Sequence, residues 1–269
     1  MSKLPPTEQS GRHGELHQMS VSELVNSMNA VDSEALVAVT NCKDQISAFV
    51  EELVPRMMKG GRLFYVGAGT SGRLGVVDAS ECPPTFGVEP GRVVGLIAGG
   101  DSAIRKAVEG AEDSTTGGWD DLQAEGISEN DTVVGIAASG RTPYVVGALK
   151  KAKEHGMLTG CVTCNPGTEV SEKCDYPIEA ITGPEFVTGS TRLKAGTATK
   201  LVLNMITTIT MIQLGHVKGN RMVDMQLSNE KLVERGTRMV AEATGVGLEE
   251  AKELLLKHGS VRNAVDAYS

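Results

Sequence analysis

The sequence predicts an α/β protein built on a doubly wound parallel sheet. Short aliphatic runs alternate with helical stretches between residues 60 and 180, and this alternation is typical of parallel strands joined by helices. A loop with glycine, serine or threonine follows each run, at the strand ends where such sheets bind ligands. Glycine accounts for 32 of the 269 residues and aromatic residues for only 3%. We therefore expect an aliphatic core rather than an aromatic one.

The chain before this sheet is predicted to be irregular and then helical. Residues 1–20 are polar and include Pro5-Pro6, so we expect them to be irregular or ordered only by a partner. Between residues 22 and 58 apolar side chains recur every three or four positions, which predicts two helices, with Ser33 near the start of the second.

The sheet itself is predicted to have five strands with helices between them. The strands are Arg62–Val66, Val93–Ala98, Thr132–Ala137, Leu158–Val162 and Tyr176–Glu179, and the intervening helices are Leu74–Ala79, Ala103–Glu109 and Tyr144–His155. A long, mostly apolar helix is predicted over 195–214, either buried or at an interface, and further helices over 216–269. We expect N-terminal helices in residues 1–52, a ligand-binding domain in 53–216 and a C-terminal helical subdomain in 217–269.

Composition excludes several classes of partner and compartment. Aspartate and glutamate outnumber lysine and arginine by 34 to 26, for a net charge of −8, which argues against non-specific binding to nucleic acid or to anionic membranes. The sequence contains no apolar run of about 18 residues and no secretory signal. Five cysteines, an odd number, suit a reducing compartment. We expect a cytoplasmic protein with neither nucleic acid nor membrane as a partner.

A glycine-rich loop follows the first strand. Gly67–Gly72 matches the G-x-G-x-x-G pattern of dinucleotide-binding loops. The match is weak, because Asp101 comes 29 residues after Gly72 and the pattern prefers an acidic residue about 20 residues on. The loop is not a P-loop either, since Arg73 and Leu74 replace the required lysine and hydroxyl residue. What remains is either a turn that begins a helix or a cradle for a phosphate monoester.

A second loop favours the phosphate cradle. Ser71-Gly72-Arg73 recurs as Ser139-Gly140-Arg141 after another strand, and Ser190-Thr191-Arg192 is a looser third copy. Parallel strands end at the same edge of a sheet, so the three loops are expected to surround one anion.

Two other patterns bear on whether the chain has a redox or metal site. Cys161-x-x-Cys164 has the spacing of redox and metal sites, but it has no second pair and no histidine nearby, so ordinary buried thiols are the better interpretation. No cysteine and histidine spacing suggests a tetrahedral metal set. We expect no metal and no cofactor.

Longer blocks of sequence identify a family. The sequences of Tyr65–Val88, 96–113, 133–145, 183–205 and 222–232 resemble those of the N-acetylmuramic acid 6-phosphate etherases, and the resemblance runs from about residue 20 to residue 245. It implies a sugar isomerase type fold. The chain departs from the family at Leu16-His17-Gln18, where Ile-Asp-Arg is usual, and its C-terminal region is shorter after Gly245.

The resemblance implies the reaction and its residues. The D-lactyl ether of N-acetylmuramic acid 6-phosphate would be cleaved to N-acetylglucosamine 6-phosphate and D-lactate, with Glu81 protonating the leaving oxygen and Glu112 removing a proton. Glu109 and Asp113 are the nearest rivals for the second role. The expected substrate-binding residues are Thr70, Ser71, Gly72, Ser139, Gly140, Arg141, Thr142, Glu185, Ser190, Thr191, Lys194 and Lys231.

Two alternatives stay open at this point. A phosphosugar-sensing regulator would not need the two glutamates, and an aldose–ketose isomerase on the same fold would not need an acid at an ether oxygen. The predicted helix at 195–214 and the resemblance both favour a homodimer.

Overall fold

The computed structural model describes residues 4–268. Its main sheet has five parallel strands in the order β2-β1-β3-β4-β5. The strands are β1 (Leu63–Gly67), β2 (Val93–Ile97), β3 (Thr132–Ile136), β4 (Leu158–Thr163) and β5 (Tyr176–Glu179). The α/β fold and its parallel sheet are thereby confirmed, and each predicted strand end lies within one residue of the observed one.

Twelve α-helices flank or follow these strands in the described residues. They are α1 (Val21–Asp32), α2 (Glu34–Asn41), α3 (Lys43–Met58), α4 (Gly69–Phe86), α5 (Ser102–Arg105), α6 (Gly117–Ala124), α7 (Pro143–Glu154), α8 (Glu169–Lys173), α9 (Lys194–Gln213), α10 (Glu230–Thr244), α11 (Leu248–His258) and α12 (Val261–Tyr268). A short antiparallel pair, β6 (Val217–Lys218) and β7 (Arg221–Met222), follows α9.

Several helices differ from the sequence prediction. Three helices replace the two expected between 22 and 58, and Ser33 donates its hydroxyl back to the Ala30 carbonyl instead of capping α2. The helix expected at 103–109 ends at Arg105, because Lys106 adopts an extended conformation. Conversely, α4 continues through Pro83 and Pro84 to Phe86.

The chain forms two compact units. The first contains the described residues up to 79 together with 93–206, and the second contains 80–92 and the described residues from 207 onward. In the first unit every residue of β1, β3 and β4 is buried, as expected for a sheet covered on both faces. The core there is aliphatic and alanine-rich, around Val133, Leu149 and Ala152.

Close contact between helix and sheet depends on glycine at the start of α4. A side chain on Gly72 would come within 2.6 Å of Ile97 Cγ1 and 2.8 Å of the Gly67 carbonyl oxygen. The first turn of α4 therefore rests directly on the end of β1, which fixes the position of the residues between these glycines.

The second unit has its own small core. Helices α10, α11 and α12 pack around Met225, Val240 and Leu255. Helices α10 and α11 end at Gly245 and Gly259, both in the left-handed conformation common at helix C-termini.

The apolar helix predicted over 195–214 is observed as α9. Within the first unit its residues Ala198, Val202, Leu203 and Ile206 are buried, so the alternative of a buried helix is confirmed for this part. Among the residues described, no helix is long and apolar enough to span a membrane.

Candidate functional site

The three hydroxyl-rich loops lie at the carboxyl edge of the main sheet. Thr70 and Ser71 occupy the first turn of α4, directly after β1. Residues Ser139 to Thr142 connect β3 to α7, and β3 is paired with β1. Ser190 and Thr191 precede α9. This topology places the first and second loops at one edge of the sheet.

The start of α9 connects the three loops. A side chain on Gly196 would lie 3.6 Å from Thr70 Cγ2 and 3.4 Å from the Thr191 carbonyl oxygen. Ala195 forms a small buried cluster with Ala138, which precedes Ser139, and with Cys164. The first, second and third loops therefore all approach the same helix terminus.

Six side-chain hydroxyl groups in these loops share one property. Each residue is half-buried, yet none of the six hydroxyls makes a hydrogen bond within the described chain. They belong to Thr70, Ser71, Ser139, Thr142, Ser190 and Thr191. Elsewhere in the first unit the buried hydroxyls of Thr159 and Thr163 form hydrogen bonds, whereas those of Thr132 and Thr182 do not within residues 4–268. A set of unengaged donors at one edge of the sheet suits a phosphate or a sugar.

The second loop is held in a single conformation by Gly140. Its φ is +74°, and a side chain there would lie 2.3 Å from Thr168 Cβ. Its amide donates to the Ala137 carbonyl and its carbonyl accepts from the Val170 amide. Only glycine fits both the backbone conformation and the contact with Thr168, so the loop places Ser139 and Arg141 reproducibly.

The two arginines of the serine–glycine–arginine motifs behave differently. Arg73 is tied to the segment after β2, because its guanidinium donates to the carbonyls of Ala103 and Ile104 at 2.8 and 2.7 Å. Arg141 is exposed and makes no ion pair or hydrogen bond through its side chain within residues 4–268. Together with Ser139 and Gly140 it lines an open cleft of about 390 Å³.

Glu185 and Lys194 form a second cluster beside the loops. Both carboxylate oxygens of Glu185 accept backbone hydrogen bonds, from the amides of Lys194 and Ala195 at 3.2 and 2.9 Å. Burial raises the pKa of Glu185 above its ordinary value, although these hydrogen bonds oppose the effect. Lys194 is only 1% exposed and its ammonium group donates to Glu34 at 2.5 Å.

This second cluster lines a separate cleft. Glu34 also pairs with Arg12, and Arg12, His13, Glu34, Glu185 and Lys194 border a cleft of about 220 Å³. The Glu185 carboxylate thus balances the partial positive charge at the N-terminus of α9. The Glu34 carboxylate balances the charge of the buried Lys194 ammonium group.

The two glutamates expected to act as acid and base are both exposed. Glu81 lies in the C-terminal half of α4 and belongs to the second unit. Glu112 lies in a 3₁₀ turn, Ala111–Asp113, of the first unit, directly after Gly110 in the left-handed conformation. Lys231 is exposed near the start of α10 and lines a cleft of the second unit together with Arg235 and Arg238.

One contact at this edge was not predicted from the sequence. Thr7 is completely buried, and its amide and hydroxyl both bond to the side chain of Asn165, which follows β4. The segment around Thr7 was expected to be irregular, and it does contain only short 3₁₀ turns. Its polar composition gave no signal for a partner 158 residues away.

The cysteines are buried thiols, as predicted for Cys161 and Cys164. None of the five forms a disulfide bond in the described chain, and burial raises the pKa of the Cys164 thiol to about 12. A thiol with so high a pKa is not a nucleophile at neutral pH. Across residues 4–268 no group of three potential metal-ligating side chains comes together.

Models of three known domains match the sequence. The N-terminal SIS domain of glucokinase regulatory protein matches residues 45–153, the SIS domain matches residues 114–209, and the C-terminal lid domain of glucokinase regulatory protein matches residues 219–266.

Full-length relatives are much closer. The chain is 57% identical to an N-acetylmuramic acid 6-phosphate etherase of Bacteroides fragilis, over 97% of this chain and 93% of that one. It is 58% identical to another, of Christiangramia forsetii, over 99% and 97% of the two chains. A phosphoheptose isomerase of Francisella tularensis has a similar structure, with a TM-score of 0.56, 19% identity, and coverage of 72% of this chain and 100% of that one. That likeness concerns the fold.

Proposed function

The chain belongs to the N-acetylmuramic acid 6-phosphate etherase family, and we propose that it cleaves the D-lactyl ether of N-acetylmuramic acid 6-phosphate. The observation that carries this proposal is the identity of 57–58% to etherases over nearly the whole chain. The products are N-acetylglucosamine 6-phosphate and D-lactate. The enzyme is a carbon–oxygen lyase.

The chemistry of the substrate sets the requirements of the site. An unactivated ether resists hydrolysis because an alkoxide is a poor leaving group. In the ring-opened sugar the aldehyde acidifies the hydrogen on carbon 2, and removal of that proton expels the lactyl oxygen from carbon 3. The resulting unsaturated aldehyde then adds water at carbon 3. The site must therefore hold the phosphate, supply a base at carbon 2 and supply an acid at the ether oxygen.

The hydroxyl loops fit the first requirement. Six unengaged hydroxyls at one sheet edge offer donors to the phosphate and the sugar oxygens. The first turn of α4 adds backbone N–H groups that have no partner within the helix. Arg141, exposed and unpaired in the described chain, supplies a positive charge from the second loop. We assign Gly72 and Gly140 to the same site because they set the shape of these loops.

The remaining binding residues are assigned by their surroundings. Glu185 and Lys194 line the separate cleft described above and would contact substrate oxygens there. Lys231, on the surface of the second unit, is assigned to the substrate from the family resemblance.

Glu81 and Glu112 are proposed as the acid and the base. Both carboxyl groups are exposed, so water and substrate can reach them. Glu81 would protonate the departing lactyl oxygen and handle the added water, and Glu112 would remove the proton from carbon 2. A positioned acid or base contributes about 10²–10⁴-fold to the rate.

The test is release of D-lactate from N-acetylmuramic acid 6-phosphate by the purified protein. Glu81→Gln and Glu112→Gln should each lower kcat by roughly 10²-fold or more while retaining binding of N-acetylglucosamine 6-phosphate. Asp113→Asn is the matched control for Glu112, since both side chains are exposed in one 3₁₀ turn. Glu89→Gln is the control for Glu81, as an exposed glutamate of the same unit.

The same assay separates the other functions that this fold supports. A regulator would bind the phosphosugar without releasing lactate, and an aldose–ketose isomerase would interconvert sugar phosphates without releasing it. Wild-type turnover in both glutamine variants would remove Glu81 and Glu112 from the mechanism without affecting the assignment of the reaction.

We further propose a cytoplasmic homodimer that acts in the recycling or catabolism of cell-wall amino sugars. Apolar side chains of α1 and α2 support self-association, because Val21, Val25, Leu36 and Val37 are 59–78% exposed. Light scattering at micromolar concentration should give twice the mass of the chain. Val25→Glu, a surface change outside the hydroxyl loops, should yield the monomer. If this variant kept the mass of a dimer, the interface would not involve Val25.

A further inference from the structure

We propose that Thr7 is a positioning residue that holds the Ser139 loop in place through Asn165. This inference deepens the proposed function and rests on it, because it concerns how the loop binds a phosphosugar. Thr7 does not belong to the predicted set of binding residues. Its contribution is the geometry of the loop, and the contact with substrate belongs to Ser139.

Two hydrogen bonds join Thr7 and Asn165. The Thr7 amide donates to Asn165 Oδ1 at 3.1 Å, and Asn165 Nδ2 donates to Thr7 Oγ1 at 2.9 Å. Thr7 is 0% exposed and Asn165 is 1% exposed. Because the two residues are far apart in sequence and fully removed from water, this pair fixes the N-terminal segment against the end of β4 at one point.

Asn165 also hydrogen-bonds to the residue that precedes the second loop. Its Nδ2 also donates to the Ala138 carbonyl at 2.9 Å. The same carbonyl accepts from the Cys164 amide at 3.1 Å and from the Thr163 hydroxyl at 3.3 Å. Ala138 directly precedes Ser139, so three donors at the end of β4 hold the backbone from which the Ser139 side chain projects.

The backbone groups of Thr7 and Ala138 together select the orientation of the Asn165 amide. The Thr7 amide can only donate and so requires Oδ1 on its side, the Ala138 carbonyl can only accept and so requires Nδ2, and the Thr7 hydroxyl accepts the second hydrogen of Nδ2. Without the threonine hydroxyl, one hydrogen of Nδ2 loses its acceptor inside the protein, and the group that supports Ala138 becomes less well fixed.

A second contact places the same segment beside the third loop. A side chain on Gly189 would lie 3.1 Å from Glu8 Oε2, and Gly189 precedes Ser190. Leu4, Pro5 and Pro6 line the same cleft as Ser139 and Arg141. The N-terminal segment therefore adjoins two of the three hydroxyl loops, which is a placement suited to setting their geometry.

The experiment compares two buried threonines at opposite ends of the first unit's sheet. Thr7→Val removes the hydroxyl next to the loops, whereas Thr159→Val removes a hydroxyl that donates to Asp175 at 2.7 Å near the start of β4. Thr159 is also 0% exposed, and its hydroxyl in addition accepts from the Asp175 amide at 3.0 Å, so Thr159→Val should lose at least as much thermal stability as Thr7→Val. Thr7→Ser keeps the hydroxyl and serves as the conservative variant.

Binding of inorganic phosphate and of N-acetylglucosamine 6-phosphate is measured by calorimetry, and lactate release by steady-state kinetics. We expect Thr7→Val to raise both Kd values and KM by roughly three- to tenfold, because the loop then adopts its binding-competent conformation for only part of the time, with kcat within about twofold of wild type. Thr7→Ser should restore Kd and KM. Adding Thr7→Val to Asn165→Ala should cause little further loss, because the two residues act through one contact.

Two results would overturn the inference. One is an unchanged Kd and KM in Thr7→Val. The other is an equal rise in Thr159→Val, which would show that general destabilisation is responsible. Failure of the proposed function looks different: the wild-type protein would release no lactate, while phosphate binding would still report whether Thr7 supports the loop. A wild-type protein that binds neither phosphate ligand would refute both.

Discussion

Replacement of Ser71 by alanine should separate binding from stability. Ser71 lies in the first turn of α4, and its hydroxyl makes no hydrogen bond within the described residues. If this hydroxyl donates to the phosphate, Ser71→Ala removes one hydrogen bond to a charged group, worth about 1.5–3 kcal/mol. The expected result is a Kd for N-acetylglucosamine 6-phosphate that is higher by roughly 10- to 150-fold.

The same substitution should not weaken the fold. No protein hydrogen bond is lost, and alanine has a higher helix propensity than serine by up to about 0.5 kcal/mol. We therefore expect the free energy of unfolding to stay within about 0.5 kcal/mol of wild type or to rise slightly. Thr159→Val should show the reverse pattern, with wild-type affinity and a loss of about 1.5–3 kcal/mol in stability, because the Thr159 hydroxyl hydrogen-bonds to a charged carboxylate.

Calorimetry with the phosphosugar and urea denaturation measure the two quantities on the same preparations. An unchanged Kd in Ser71→Ala would show that the hydroxyl does not contact the ligand. A loss of more than about 1 kcal/mol of stability would contradict the assignment of the hydroxyl as unengaged in the free protein.

Two further predictions concern the folded state. Asp131 is buried, which would raise its pKa, but hydrogen bonds from Arg62 and Ser128 outweigh burial and lower it. Its ionised form therefore contributes stability that is complete above the unfolded-state pKa of about 3.9 and is lost as the pH falls towards the lower folded-state pKa. Asp131→Asn should lower the free energy of unfolding by about 2 kcal/mol at pH 7. Urea denaturation between pH 2 and pH 5 should show that the unfolding free energy of this variant falls less with acid than that of the wild type. Gly140→Ala should lower the unfolding free energy by about 1–3 kcal/mol and raise KM, since its φ of +74° and its contact with Thr168 exclude a side chain; a wild-type KM would show that the loop tolerates another conformation.

The sheet could be predicted from the sequence because the positions of its strands are marked locally. Each aliphatic run is short and is followed by a loop that contains glycine or hydroxyl residues, and all five strands occur where these runs lie. Helix ends were less predictable. Pro83 and Pro84 normally break a helix, yet α4 continues through them and ends at Phe86, so the local signal was overridden by the surrounding structure.

The candidate site was predictable to the extent that it depends on short motifs. The serine–glycine–arginine repeats predicted that loops after β1 and β3 share one edge, and the pairing of these strands agrees. What the motifs could not indicate is the difference between Arg73, which holds the carbonyls of Ala103 and Ile104, and Arg141, which is unpaired in the described chain. That difference arises from tertiary contacts.

The course of the first described residues has a practical consequence for preparing the protein. Leu4 is 64% exposed and borders the same cleft as Ser139 and Arg141. An affinity tag fused ahead of Leu4 would thus be anchored at the rim of the cleft lined by Ser139 and Arg141 and, with a polyhistidine sequence, would bring imidazole groups next to it. Kinetic constants should accordingly be measured after proteolytic removal of such a tag, or with the tag fused after α12.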